Sequence, residues 1–69
     1  MVEVFKTNVQ KIRDAAKVIQ RLAEYLPGHK ITFDLADCDK ILRVEGERIC
    51  IVTVIKLLQE NDYECAVLD

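Results

Sequence analysis

Apolar and polar residues alternate most clearly in Lys30–Glu45, KITFDLADCDKILRVE, and the rest of the chain is arranged about that stretch. Ile31, Phe33 and Leu35 alternate with Thr32 and Asp34, which sends the two sets to opposite faces of a strand. Ala36-Asp37-Cys38-Asp39 is a polar turn cluster, and the β-branched run Ile41-Leu42-Arg43-Val44 follows it and stops at Glu45-Gly46-Glu47. Strand, turn and strand read as a β-hairpin. Upstream, Met1 to Lys6 reads as another strand through Val2-Glu3-Val4; Phe5 breaks the alternation, so its face stays open. Thr7 suits a helix N-cap, and Gln10 three residues later completes a capping box. Val9, Ile12, Ala16, Ile19, Ala23 and Leu26, joined by Ala15 and Leu22, then recur in steps of three and four as one apolar stripe. Lys11, Arg13, Asp14, Lys17, Gln20, Arg21 and Glu24 fill the other side. Pro27 forces Leu26 out of the helical region and Gly28 follows, which ends this helix near Tyr25.

Ile49–Ile55 is rich in β-branched residues and taken alone would pass for a buried strand. Ile51, Val54, Ile55 and Leu58 nonetheless keep helical spacing, Lys56, Gln59 and Glu60 face away, and no turn signal interrupts the run before Glu60, so a helix is expected. Asn61 fits a left-handed C-cap, and Tyr63 to Leu68 alternates as a last strand. The resulting order, βαββαβ, predicts an α+β ferredoxin-like sandwich: a four-stranded antiparallel sheet with both helices on one face. Its first two strands run parallel with the third between them. That topology gathers Thr7–Lys11, Ala36–Asp39 and Asn61–Tyr63 at one end, and Pro27–His29 with Gly46–Cys50 at the other.

Size and charge narrow the function. Sixty-nine residues, 51% of them hydrophobic, make one domain close to the lower limit for a core without staples. Two glycines and one proline leave no room for linkers or repeats. A net charge of −2 argues against a general nucleic-acid binder, and no apolar run is long enough to span a bilayer. The first residues lack the basic and long apolar regions of a signal peptide, so a cytoplasmic protein is expected. Three cysteines, Cys38, Cys50 and Cys65, form no CxxC pair and no even framework; they are expected as reduced thiols, two of them buried as small hydrophobes.

The order and lengths of strand, loop, helix, Leu-Pro-Gly turn, hairpin, helix and strand resemble the heavy-metal-associated, copper-chaperone-like domains over nearly the whole chain. Phe5-Lys6-Thr7-Asn8-Val9 resembles the lead-in to that family's metal loop. Asp34 and Asp39-Lys40-Ile41-Leu42-Arg43-Val44 resemble its hairpin, and Asn61-Asp62-Tyr63 stands where a Gly-Tyr or Gly-Phe pair is common. The resemblance implies that Val9 plugs the core and that the two metal cysteines of the family fall at Lys11 and Asp14. A soft cation such as Cu(I) wants thiolates, and an ammonium with a single hard carboxylate offers neither. Lys11 and Asp14 are therefore expected to form a weak surface ion pair, to bind no soft metal and to need no cofactor.

Three further groups have a functional and a plain reading. Cys38 with Asp37, Asp39 and Asp62 could make a substitute metal site, or it is a turn cysteine among acidic turn formers. Cys50 in the first turn of the second helix has the placement that lowers a thiol pKa, and His29 could approach it, yet no third group orients that histidine, so catalysis is not expected. Lys6, Lys11, Arg13 and Lys17 make a mild basic patch or a solvated helix face. Thr32, Ile41, Arg43 and Phe5 are candidates for the open sheet face. The expectation is a non-catalytic interaction module, monomeric or weakly dimeric, binding an unknown protein partner and neither nucleic acid nor membrane. Lys11, Asp14, Arg43 and Tyr63 are its expected contact residues.

Overall fold

A computed structural model describes residues 1–68. Strand β1 (Val2–Thr7), helix α1 (Ile12–Tyr25), strands β2 (Lys30–Asp34) and β3 (Ile41–Glu45), helix α2 (Ile51–Glu60) and strand β4 (Cys65–Val67) follow one another in the expected order. The sheet runs β2-β3-β1-β4 with every neighbouring pair antiparallel, so β3 lies between the parallel strands β1 and β2. Both helices cover one face, because Ala15, Val18 and Leu22 of α1 and Val54, Leu57 and Leu58 of α2 close on Phe5, Leu42 and Val44 in a single core. This is the ferredoxin-like α+β arrangement. Among the described residues no helix is long and apolar enough to cross a membrane.

A helix forms within the expected Ile49–Glu60 stretch, from Ile51 to Glu60 with Cys50 as its N-cap, and its β-branched start does not enter the sheet. Four local expectations are corrected. The capping box does not form: α1 begins at Ile12, Lys11 occupies the N-cap with no side-chain cap bond, and Thr7 ends β1 paired with Cys65. The Thr7 hydroxyl is spent elsewhere, donating to the Lys40 carbonyl at 2.6 Å and accepting from the Val9 N–H at 3.2 Å. Residues Asn8–Lys11 are needed to climb from the sheet to the helix layer, so they cannot also form a first turn. At the end of α2 the left-handed residue is Asp62 (φ 67), one beyond Asn61, whose side-chain amide instead donates to the Leu57 carbonyl at 2.8 Å.

The third correction concerns α1. Its buried line is Ala15, Val18 and Leu22, continued by Leu26. Ile12 is 81% exposed, Ala16 and Ala23 are exposed, and Ile19 is only half-buried. Val18, absent from the stripe read from sequence, sits in the core at 3% exposure. The apolar arc of this helix is wider than one sheet face can cover, and its outer half lies beside β2.

The fourth correction concerns Phe5. It is fully buried on the helix face, in register with Leu42 of β3 and Val67 of β4. Alternation then places Val2, Val4 and Lys6 on the open face with Ile41, Arg43 and Thr32. The open face therefore has an aliphatic centre and no aromatic ring.

The two ends assemble as expected. At one, the Thr7 N–H donates to the Asp39 carbonyl at 3.0 Å and the Glu64 N–H to the Asn8 side-chain oxygen at 2.8 Å, tying the first loop to the hairpin and to the loop after α2. At the other, the His29 ring lies over Gly46, where an added Cβ would come 2.3 Å from its Cδ2. His29 Nδ1 faces the Pro27 carbonyl at 3.3 Å and Nε2 faces the Arg48 carbonyl. The ring is a clasp between two loops and is not directed at Cys50.

Candidate functional site

The site expected from the resemblance is the end formed by Asn8–Lys11, the hairpin turn and the loop after α2. Val9 is fully buried beneath it and fixes the loop to the core like a plug. Lys11 follows in extended conformation at the N-cap of α1, and Asp14 is the acidic residue of the first helical turn. An N-cap residue and the residue three further on share one side of the helix start, where free N–H groups point outward and favour negative charge. The two positions thus converge as a two-ligand site would, while their side chains supply an ammonium and a carboxylate.

The expected ion pair between them is absent. Among the described residues the salt bridge is Arg43–Glu45 at 3.0 Å, on the open sheet face, with both groups substantially exposed. Asp14 is turned instead toward Tyr63. The phenol of Tyr63 is pushed above the usual tyrosine range, first by loss of solvent around it, then by the Asp14 charge and a hydrogen bond to that carboxylate, with Asp62 adding to it. Local backbone explains this placement. Asp62 in the left-handed region folds the chain back, so that the Tyr63 N–H donates to the Leu58 carbonyl at 2.9 Å and the ring packs against the core. Asx residues tolerate that conformation better than most, which is why the turn can do without glycine.

In the hairpin turn, ligand atoms of Asp37, Cys38 and Asp39 lie within 4.8 Å of one another, and Asp62 is not part of the group. The carboxylate of Asp37 is already engaged, accepting the Asp39 N–H at 2.8 Å, while the Lys40 N–H donates to the Asp37 carbonyl at 3.0 Å. Lys40 itself takes the left-handed region (φ 48), and its ammonium holds the Leu35 carbonyl at 3.0 Å. These bonds are those of a tight turn, in which the Asp34 and Asp37 carboxylates each accept a backbone N–H.

The expectation of two buried cysteines is also corrected: Cys38 and Cys50 are exposed, and Cys65 alone is partly buried. Burial pushes the Cys65 thiol up to about 11, so it is protonated at neutral pH and a poor ligand for any cation. It lines a shallow cleft with Lys6, Thr7, Gln59, Tyr63 and Glu64. Cys50 is the N-cap of α2 and makes no side-chain cap hydrogen bond; the nearby Thr53 hydroxyl and the Thr53 and Val52 N–H groups nonetheless lower its pKa against an opposing effect of burial. Among the described residues no base is directed at it, since the ring nitrogens of His29 face the Pro27 and Arg48 carbonyls. Alkylation with iodoacetamide near pH 8 should therefore modify Cys50 first and Cys65 last. Peptide mapping of a time course checks this, and early labelling of Cys65 would contradict the packing of β4.

The basic residues do not form one patch: Lys6 points from the open sheet face, whereas Lys11, Arg13 and Lys17 belong to the start and outer side of α1. Arg43, tied to Glu45, is on the sheet face and distant in register from the loop end. Lys11, Asp14 and Tyr63 thus come together, and Arg43 does not join them. What sequence reasoning missed is the approach of Tyr63 to Asp14; the Asn-Asp pair before Tyr63 marks a turn but not the residue that the turn meets. Comparison with protein-family models and with curated proteins gave no match.

Proposed function

We propose that this chain is a non-catalytic interaction module, built like a heavy-metal-associated domain, whose loop end receives a protein partner and carries no soft metal. The observation that supports it is the pairing of a plugged loop with the wrong donors. Val9 is buried as such a loop requires, yet the positions beside it hold Lys11 and Asp14, with Tyr63 near enough to feel the Asp14 charge. An ammonium, a carboxylate and a phenol on one exposed rim offer donors and acceptors to a polar protein surface. They offer nothing to Cu(I) or Zn(II) that a stray carboxylate would not. Among the described residues no activated nucleophile stands beside an oriented base, the pair a hydrolytic or transfer enzyme would need. A cytoplasmic setting accords with free cysteines, because thiols stay reduced there.

A second reading rests on the clustered ligand atoms of Asp37, Cys38 and Asp39: a weak metal binder, or one completed between two protomers. Native mass spectrometry under reducing conditions, with Cu(I) and Zn(II) titrated separately, tests both. The interaction-module reading expects no stoichiometric metal adduct. The second reading expects one equivalent per chain or per dimer, lost in Cys38→Ser; a stoichiometric adduct retained in that variant would defeat both.

A further inference from the structure

The outer half of α1 and the edge strand β2 form one unpartnered apolar surface, and we propose that it is covered by a second copy of this chain. Ile12, Ala16 and Ile19 on the helix and Phe33 and Leu35 beside them line an open groove with little polar surface. Ile12, among the most exposed large hydrophobic residues, stands at its rim. β2 is the sheet's outer strand on this side, with no proline or bulge to block further pairing.

The direction of the free backbone groups follows from the ladder. The Val4 carbonyl accepts from Leu68, so Val4 faces β4, and the Arg43 opposite it bonds to β2 instead of β1. Thr32, the partner of Arg43, is thereby turned inward, and Ile31 and Phe33 direct their N–H and C=O groups outward. The side chains of Ile31 and Phe33 lie on the helix face, continuous with the groove.

The choice of a second copy rests on charge. If two β2 strands pair antiparallel about Thr32, Lys30 of each stands opposite Asp34 of the other. Ile31 then exchanges backbone bonds with Phe33 of the second copy, and the two threonines meet at the axis. The pairing is isologous and closes on itself. Within its own sheet, Lys30 faces Glu45, whose carboxylate is taken by Arg43, and Asp34 faces Ile41. Among the described residues neither Lys30 nor Asp34 has an ion-pair partner. A lysine ordinarily guards an edge strand, but in this register it meets a carboxylate. The same twofold axis brings the Ile12–Ile19 stripes of two antiparallel α1 helices toward each other over the extended sheet. The opposite edge, β4, is three residues long and offers no comparable register.

The inference is independent of the loop-end reading, since the groove and the Asp14–Tyr63 rim lie on different sides of α1. Sedimentation velocity from low-micromolar to millimolar chain should show a concentration-dependent dimer. Hydrogen exchange at the Ile31 and Phe33 amides should slow as the dimer fills. Lys30→Asp and Asp34→Lys should each lose the dimer, by setting like charges opposite one another. The double swap, and an equimolar mixture of the two single variants, should regain it. Ile12→Asp should also lose it, which keeps the test open if Asp34→Lys disturbs the Ala36 N–H···Asp34 bond of the turn. A chain monomeric at millimolar concentration would overturn the proposal and leave a foreign strand or helix as the occupant. A dimer that survives both charge variants, for instance through the open sheet face, would overturn it as well.

Discussion

Replacing Lys11 and Asp14 together by cysteine is expected to create a tight Cu(I) site without loss of the fold. Lys11 is exposed at the N-cap of α1, and Asp14, in the first turn, is half-exposed near Tyr63, so neither change reaches the core. The backbone needed for two convergent thiolates is present: a loop pinned by buried Val9, then a helix start whose free N–H groups favour anions and lower thiol pKa values. A four-ligand structural zinc site binds its ion by roughly 10–16 kcal/mol; on that scale two ligands contribute about 5–8 kcal/mol, or about four to six powers of ten in affinity. Competition against a bicinchoninate chelator reads the gain, and circular dichroism verifies the fold. Each single substitution should give much less, because one sulfur cannot use the convergence. A folded double variant with no more Cu(I) affinity than the parent would mean that the loop is not arranged as a metal loop, and the family resemblance would fail with it. Tyr63 provides an internal control. Removing the Asp14 carboxylate should let its phenol titrate at lower pH, because the charge and hydrogen bond that raise its pKa are gone.

The elements were legible where the local signals agreed with one another. Lys30–Glu45 carried strict alternation around an acidic turn, and Pro27-Gly28 marked a stop, so the hairpin and the end of α1 lie where the sequence put them. In α2 the helical spacing of Ile51, Val54, Ile55 and Leu58 prevailed over β-branched composition, because a periodic face can be buried against a sheet whatever its intrinsic preference. Three things could not be read. Thr7 satisfied the capping rule, but tertiary bonds to Asp39 and Lys40 kept it in the strand. The stripe on α1 had two edges of equal apolarity, and only the position of the sheet decided that Val18 goes in and Ile12 stays out. At the loop end, sequence gave the absence of thiolates but not the approach of Tyr63 to Asp14, since their separation of 49 positions leaves no local pattern. That surplus apolar edge of α1 is intelligible if a second surface exists for it to cover.

Phe5→Ala is expected to unfold most of the protein at room temperature, while Val4→Ala, one residue away, leaves it folded. Phe5 is fully buried at the centre of β1, between Leu42 and Val67 in the sheet and beneath both helices. Truncating such a ring costs about 3–5 kcal/mol in lost transfer energy and residual cavity. A core of this size rarely supplies more than about 3–5 kcal/mol in total, so little or no stability is left. Val4 is half-buried on the open face, where loss of its methyl groups costs about 1 kcal/mol or less. Phe5→Leu keeps an apolar filler and should retain a measurable urea transition at a lower midpoint with an unchanged slope. Urea titrations of the four proteins separate the alternatives that the Val2-Glu3-Val4-Phe5 run left open. If Val4→Ala proved the more damaging change, the strand would be turned over, with Val4 under the helices and Phe5 exposed. Reversal of β1 would carry Lys6 and Val2 to the core side as well. A buried lysine without an acidic partner costs far more than this small domain can absorb, which is why the strand settles with its one aromatic ring inside.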